Sequence, residues 1–219
     1  DLMVQINGIV NEYIHVEKPD QEAVPSRQFD ISKIDFELLS REFAHTRRKN
    51  LLVRDLDELV NQQLAKMLFA NPQRIDYYDR YQEIIDAYNA EQNRATIEKT
   101  FMDLMELASS LDTEQQRYVR EGFSSDEELS VYDLLFSENL TKQEIETIKK
   151  GSVDLLTKIK QQIAKLDHWT DKQETKAIVD NLIRNTLWQQ LPNSYDVSDI
   201  QTYQKKIYEY VYMRYPEVA

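Results

Sequence analysis

The sequence contains no cysteine and only three glycines among its 219 residues. Without cysteine the chain cannot form disulfides, cysteine-ligated zinc sites or a thiol nucleophile. It therefore suits a reducing compartment, and we expect a cytoplasmic location. Average glycine usage of ~7% would give about fifteen glycines in a chain of this length. Phosphate-binding loops and tight β-hairpins both require glycine, so its shortage disfavours a nucleotide site and β-structure.

Long apolar runs are also missing. The longest, MLFA at residues 67–70, is far shorter than the ~20 residues of a membrane helix, so we expect no contact with a membrane. The chain does not open with a basic stretch followed by an apolar one, which disfavours a signal peptide. Its first residue is Asp1 rather than Met, as expected of a fragment of a longer protein.

The chain is strongly acidic but carries one basic patch. Its 39 acidic and 27 basic residues give a net charge of −12, which on average repels nucleic-acid phosphates. Between residues 41 and 54 the balance is reversed, with five basic residues against Glu42 alone, a local charge of +4. The residues of this basic patch are Arg41, Arg47, Arg48, Lys49 and Arg54. Either they stabilise a helix C-terminus and pair internally, or they contact DNA phosphate or an acidic partner.

Signals for the start and end of helices recur along the chain. A helix start is indicated where a side-chain oxygen that can accept a backbone N–H is followed three residues later by a carboxylate or amide. The predicted pairs are Ser32 with Asp35, Asp112 with Gln115, Ser125 with Glu128, Thr141 with Glu144, and Thr170 with Gln173. Gly122 is predicted to end one helix in a left-handed conformation, and Pro192 and Pro216 to end two later ones.

Apolar residues between these signals are spaced by three and four, which predicts amphipathic helices. The clearest stripes are Leu52, Leu56, Leu59, Val60 and Met67, then Ile145, Ile148, Leu155, Ile159 and Ile163, and near the start Leu2, Ile6, Ile9, Val10 and Tyr13. The polar, proline-containing stretch 17–29 is the one convincing linker. We predict an all-α fold, an irregular bundle of about eight or nine helices without significant sheet.

Motifs for catalysis are weak or missing. Neither GxxxxGK[ST] nor GxGxxG occurs, so phosphate has no predicted backbone cradle. Four residues typical of a nuclease, Asp167, Asp171, Glu174 and Lys176, do occur together. They fall at a predicted helix start rather than on adjacent strands, and acidic residues there favour the helix dipole. We therefore predict a structural role for them and no catalytic residue in this chain.

Two E-x-x-H pairs, Glu12 with His15 and Glu42 with His45, have the spacing used by di-iron sites in helical bundles. The second pair is followed at once by the cationic residues 47–49, which would repel a metal ion. We predict no metal site, and an independent di-iron bundle remains an alternative function.

The stretch FANPQRIDYYDRYQEII, residues 69–85, interleaves tyrosine with arginine. Asn71 is predicted as a helix N-cap, with Pro72 at the first helical position. At 100° per residue, one face of the helix then holds Tyr77, Tyr78, Tyr81, Ile84, Ile85 and Tyr88, and the opposite face holds Asp76, Asp79, Glu83 and Asp86. Arg74 projects within the tyrosine face. We expect it to stack on a ring or to pair with a carboxylate from a neighbouring helix.

Four stretches read in order resemble the C-terminal helical region of the motor and endonuclease subunit (R subunit) of type I restriction enzymes. They are IDFELLSREFAHTRRKN, then ELVNQQLAKMLFANPQRIDYYDRYQEIIDAYN, then TIEKTFMDLMELASSLDTEQQRYVREGFSSDEELSVYDLL, and finally LPNSYDVSDIQTYQKKIYEYVYMRYPEV. The most specific segment carries Asn71, Pro72, Arg74, Asp76 and Tyr77. The resemblance implies a helical assembly domain over residues 30–219. Residues 1–29 would be a helix and linker continuing from an upstream motor region.

The resemblance implies more about the parent protein than about this chain. The whole subunit would be an ATP-dependent type I site-specific deoxyribonuclease, with a nuclease domain and two motor lobes that use ATP and magnesium. We expect no cofactor in this fragment. Its implied role is to attach the motor to the methyltransferase and specificity subunits, with duplex DNA reached through the whole complex. The alternative is a DNA-contacting module that guides duplex DNA to the motor through the basic patch.

Overall fold

The computed structural model of the chain describes residues 34–91 and 93–216. These residues form nine α-helices and no strand, which confirms the predicted all-α fold. The helix predicted over residues 2–14, the linker and the pair Glu12–His15 lie outside the described residues. No helix in the described ranges has the length and hydrophobicity needed to cross a membrane.

The chain divides into two compact units, Asp1–Arg117 and Tyr118–Ala219. Helices of the first unit are α1 Phe36–His45, α2 Lys49–Ala70, α3 Ile75–Ala90 and α4 Arg94–Gln115, with a 3₁₀ turn at Pro72–Arg74. The short α5, Arg117–Arg120, spans the boundary. Helices of the second unit are α6 Asp126–Leu135, α7 Lys142–Ile163, α8 Gln173–Gln190 and α9 Val197–Arg214. The predicted domain boundary near residue 30 lies outside the described residues and stays a prediction.

The core of the first unit lies where α2 and α3 pack against α4. The predicted stripe of α2 supplies Leu56, Val60 and Met67, and α4 supplies apolar residues from Phe101 to Leu111. Phe43 joins α1 to this core, because its ring stacks on that of Phe101 with centroids 3.7 Å apart. The first unit therefore buries one apolar stripe from each of its longer helices.

The predicted N-cap at Asn71 is confirmed. Its side-chain oxygen accepts a hydrogen bond from the Gln73 backbone N–H at 3.1 Å, and Pro72 follows at the first position of the 3₁₀ turn. The two predicted faces of α3 are also confirmed. The tyrosine face is buried or half-buried, whereas the acidic residues 76, 79, 83 and 86 are exposed. This helix therefore packs against the core through its aromatic residues.

Arg74 and Glu114 form a buried ion pair in the first unit. The Arg74 Nε donates to Glu114 Oε1 at 3.0 Å, and the two residues are only 4% and 7% exposed. A second guanidinium, that of Arg117, lies 3.3 Å from the same oxygen. The predicted pairing of Arg74 with a carboxylate of a neighbouring helix is thus confirmed.

The second unit is built from four helices, in which α6 packs on α7, α7 on α8, α8 on α9, and α9 on α6. The predicted stripe of α7 is buried at Ile148, Leu155, Ile159 and Ile163. Trp169, in the loop between α7 and α8, is fully enclosed, and its indole N–H donates to the Tyr215 carbonyl at 2.6 Å. That hydrogen bond fastens the loop to the end of α9.

Two predicted helix starts in the second unit are confirmed. Thr141 and Glu144 form a reciprocal capping box at the start of α7. Ser125 accepts a hydrogen bond from the Glu128 backbone at the start of α6, while the Glu128 carboxylate accepts from the N–H of Ser124. Gly122 adopts φ +83°, in the left-handed region expected of a residue that ends a helix. The predicted stops at Pro192 and Pro216 also hold, since α8 ends at Gln190 and α9 at Arg214.

The predicted helix start at Asp112 with Gln115 is wrong. Both residues lie in the last turn of α4, which continues because Leu111 and Glu114 are both buried there. The start at Thr170 is also wrong. The N-cap of α8 is Lys172, which makes no side-chain capping bond, and the Thr170 hydroxyl instead donates to the Pro216 carbonyl.

The predicted helix start at Ser32 with Asp35 lies partly outside the described residues, because Ser32 is not among them. Its other member, Asp35, is itself the N-cap of α1 and accepts a hydrogen bond from the Leu38 N–H at 2.9 Å. The sequence reading missed the reciprocal capping box of α9, formed by Asp196 and Asp199.

Glu127 is the centre of an ion-pair cluster that links α6, α7 and α9. Its carboxylate accepts a hydrogen bond from the Lys160 ammonium and lies 3.7 Å from the Arg214 guanidinium. Burial by itself raises the pKa of Glu127, but the hydrogen bonds from Lys160 and Tyr215 and the charges of Lys160 and Arg214 together hold that pKa below its ordinary value. The cluster thus favours the ionised carboxylate.

We predict that Arg74→Ala destabilises the first unit by about 3 kcal/mol, because the buried Glu114 carboxylate loses its hydrogen bond with Arg74, which the Arg117 guanidinium at 3.3 Å replaces only in part. The matched control is Arg80→Ala, which removes a surface pair with Glu106 and should cost at most about 1 kcal/mol. Chemical denaturation measures both values. Arg74→Ala should change the free energy of DNA binding less than it changes the free energy of unfolding. A larger change in DNA binding would contradict the packing role of Arg74.

We predict that Glu127→Gln lowers the free energy of unfolding at pH 7 by up to about 1 kcal/mol. Because the folded-state pKa is lowered, the carboxylate stabilises the fold above its unfolded pKa of about 4.3, and this contribution disappears as pH falls through the folded value. Urea unfolding at decreasing pH should show the two proteins converging. The control is Glu138→Gln, which removes an exposed carboxylate. An equal decrease in the free energy of unfolding in this control would show that the ion-pair cluster of Glu127 does not stabilise the fold.

Candidate functional site

The basic patch occupies the junction between α1 and α2. Helix α1 ends at His45 and α2 begins at Lys49, so Arg47 and Arg48 lie in the connection between them. Arg41 lies one turn before the end of α1, where it is exposed and pairs with Glu37 at 3.2 Å. The structure therefore places Arg41, Arg47, Arg48 and Lys49 at or next to this junction, but their environments differ.

Lys49 makes internal contacts. Its ammonium donates to Glu98 Oε1 of α4 at 2.6 Å and lies 4.8 Å from the centroid of the Phe43 ring. Glu98 also accepts from Arg94, and the hydrogen bonds from Lys49 and Arg94 lower the pKa of Glu98. One of the five predicted contact residues is thus held against the protein and neutralised.

Arg47 and Arg48 are different, because both are exposed and neither side chain has a hydrogen bond or ion pair with a described residue. Arg47 follows the C-terminus of α1, where a cation is favourable. Arg48 is the N-cap of α2, whose first turn contains no acidic residue, and a cation there faces the positive end of the helix dipole. Helix stability accounts for Arg47 but not for Arg48. These two residues form a corner that can attract an anion, and we refer to them as the arginine corner.

Arg54 lies farther along the same helix. It is exposed, and the nearest carboxylate oxygen, on the adjacent Asp55, is 3.9 Å away. A contact at this distance between exposed groups contributes little. Arg54 therefore adds positive charge to the surface of α2 beyond the arginine corner.

A groove between α1 and α2 was missed by sequence reasoning. Its volume is about 600 Å³. Its floor is apolar and includes Ile34, Leu38, Leu39, Leu52 and Leu59. Its rim carries the carboxylates of Asp35, Glu42, Asp55 and Glu58. Leucines on two neighbouring helices were visible as stripes, but only the helix arrangement shows that part of each stripe is left open; Leu38, for example, remains 52% exposed.

The candidate metal and nuclease residues do not form a site in the described parts of the chain. Glu42 and His45 are exposed at the end of α1, and no group of three or more possible metal ligands was found among residues 34–91 and 93–216. Asp167 and Asp171 lie in the exposed loop before α8, and Glu174 lies in the first turn of that helix. This placement at a helix start agrees with the structural interpretation.

We predict that Lys49→Ala lowers the free energy of unfolding by about 1 kcal/mol, because it removes the contact with the Phe43 ring and the buried stem. Arg47→Ala and Arg48→Ala should each stay within about 0.5 kcal/mol of the parent, since both side chains are exposed and neither has a hydrogen bond or ion pair with a described residue. Thermal and urea unfolding measure all three. Equal losses would show that the basic patch acts as one structural element.

The relationship to known proteins is consistent with this geometry. A family model described as "Type I restriction enzyme HindI endonuclease subunit-like, C-terminal" matches residues 5–215. No curated protein and no solved structure matches the chain. The family match begins at residue 5, whereas the resemblance inferred from the sequence begins near residue 30. The match includes residues of both compact units. The chain therefore belongs to the family of C-terminal regions of type I restriction enzyme HindI endonuclease subunit-like proteins.

Proposed function

We propose that this domain is a non-catalytic attachment module, which holds an ATP-dependent DNA translocase and endonuclease to its methyltransferase and specificity subunits. The observation that carries the proposal is the family match over nearly the whole chain. An all-helical body is suited to this role, because rigid helices can present a fixed surface to a partner. In the parent protein, the nuclease and motor activities and their ATP and magnesium would belong to other regions.

The attachment proposal can be tested by competition. The full R subunit, which contains this domain, is mixed with its cognate methyltransferase and specificity core in the presence of increasing amounts of the 219-residue chain. We expect the chain to bind the core and to displace the full subunit. If the full subunit binds while the chain neither binds nor competes, the attachment surface lies elsewhere.

A second candidate function is DNA contact, which the arginine corner favours. Two exposed guanidinium groups offer positive charge to an anion, and the adjacent N-terminus of α2 offers it backbone N–H groups. The four carboxylates of the neighbouring groove rim and the overall charge of −12 oppose binding over a larger area. The contact would therefore involve only a few phosphates, with duplex DNA guided toward the motor rather than held tightly.

We predict that Arg47→Glu/Arg48→Glu weakens DNA or partner binding without unfolding the chain. Lys49 is left unchanged because its contacts with Glu98 and Phe43 are structural. If the ligand is DNA, the loss of two phosphate contacts should reduce the slope of log K against log salt concentration by about two in magnitude. Mobility shifts at several salt concentrations, together with binding of the methyltransferase core, distinguish the two ligands.

The matched control is Lys142→Glu/Lys150→Glu, which makes the same change of charge on exposed positions of α7. An equal effect of both double variants would show that only net charge matters. Unchanged binding of both ligands at low salt by the arginine-corner variant would remove this site from the function.

A further inference from the structure

The groove between α1 and α2 has the length and shape to hold a helix. On α1 its lining includes residues 38, 39 and 42, which share one face of that helix, and on α2 it extends from residue 52 to residue 62. Residues 52–62 cover about 15 Å along the helix axis, nearly three turns. Ligand pockets usually place a few polar groups toward one point, whereas grooves that receive an amphipathic helix present an apolar strip. The floor of this groove is such a strip.

The floor is not fully covered by the described part of the chain. Leu38 is 52% exposed, although Leu56, deeper in the lining, is buried. The other apolar residues of the floor are only half-buried: Ile34, Leu39, Leu52 and Leu59. The apolar face of a docked helix would remove these side chains from water, which is favourable in proportion to the apolar area buried.

The rim indicates the charge of the occupant. No basic residue is among the described residues that line the groove, although five basic residues occur between residues 41 and 54 of the same two helices and their connection. Within the described chain, the one ion pair of the rim carboxylates is the 3.9 Å contact between Asp55 and Arg54. The exposed rim carboxylates, with a formal charge of −4, are Asp35, Glu42, Asp55 and Glu58. This rim is complementary to a cationic ligand.

We propose that the groove between α1 and α2 is a docking site for a basic amphipathic helix of a partner protein. Apolar side chains of that helix, spaced by three and four residues, contact the floor, and the lysine or arginine side chains beside them reach the rim carboxylates. The proposal does not depend on the attachment or DNA-contact functions, because it concerns the chemistry of the helix and not the protein that carries it. Binding of a peptide and binding of the methyltransferase core can therefore fail separately.

A synthetic helix provides the test. The probe is a fluorescent peptide of about fourteen residues, with leucine at i, i+3, i+4 and i+7 and lysine elsewhere, and fluorescence anisotropy measures its binding to the full 219-residue chain. A peptide with glutamate in place of every lysine should bind at least about tenfold more weakly at low salt. A lysine peptide with the same composition but with its leucines spread around the helix should also bind more weakly. In the ¹⁵N-labelled chain, the lysine peptide should shift the amide signals of residues 38–42 and 52–62.

Two double variants distinguish the groove from net charge. Glu42→Lys/Glu58→Lys reverses two rim charges and should weaken binding of the lysine peptide at least about tenfold. Glu83→Lys/Asp86→Lys makes the same change at exposed positions of α3 outside the groove and should weaken binding about twofold or less. If circular dichroism shows that the rim variant is unfolded, Leu38→Ala is used instead. It removes apolar surface without changing charge and should weaken binding about fivefold.

Three results would overturn the proposal. Equal weakening by the groove and α3 variants would show that the peptide responds only to net charge. Absence of binding at low salt, or equal binding of the glutamate peptide, would show that the groove does not select a basic helix. A dimer of the chain that Leu38→Ala dissociates, as measured by analytical ultracentrifugation, would show that the occupant is a second, acidic copy.

Discussion

Two opposite charges, Arg74 and Glu114, are buried together where the 3₁₀ turn after α2 contacts α4. Neither charge could be buried alone, since an unpaired ion in a protein interior is strongly unfavourable. Their 3.0 Å contact therefore requires the end of α2, the start of α3 and the last turn of α4 to lie together. Asn71 caps the same turn, and the tyrosine face of α3 is directed at the core from there. The first unit depends on this junction for its helix arrangement.

Local signals predicted most of the fold. The all-α class, the stripe of α7 and the caps at Asn71 and Thr141 depend on neighbours within a few residues, which a sequence displays directly. The false start at Asp112 shows the limit of such signals. A capping pattern there has favourable local chemistry, but burial of the last turn of α4 keeps the helix continuous. Local preference is weaker than tertiary packing in that case.

The candidate site was less predictable, because its character depends on residues distant in sequence. The basic patch looked uniform, yet Lys49 pairs with Glu98, which is 49 residues away, while Arg48 pairs with no described residue. No pattern of neighbouring residues predicts that Lys49 pairs with Glu98. The groove was invisible for the same reason, since each leucine stripe reads as core until the neighbouring helix is placed. Sequence located the positive charge, and the fold decided which part of it faces solvent.

The helices α1 and α2 thus carry two surfaces of opposite character. The arginine corner, where the two helices meet, attracts anions, while the rim of the groove between them carries four carboxylates that repel anions. An extended duplex laid along both surfaces would meet attraction at one and repulsion at the other. A basic helix would be attracted by the carboxylates of the groove and, if it extended to the arginine corner, repelled there. The two surfaces therefore suit different ligands, and a basic amphipathic helix confined to the groove leaves the corner open to a phosphate or an acidic partner.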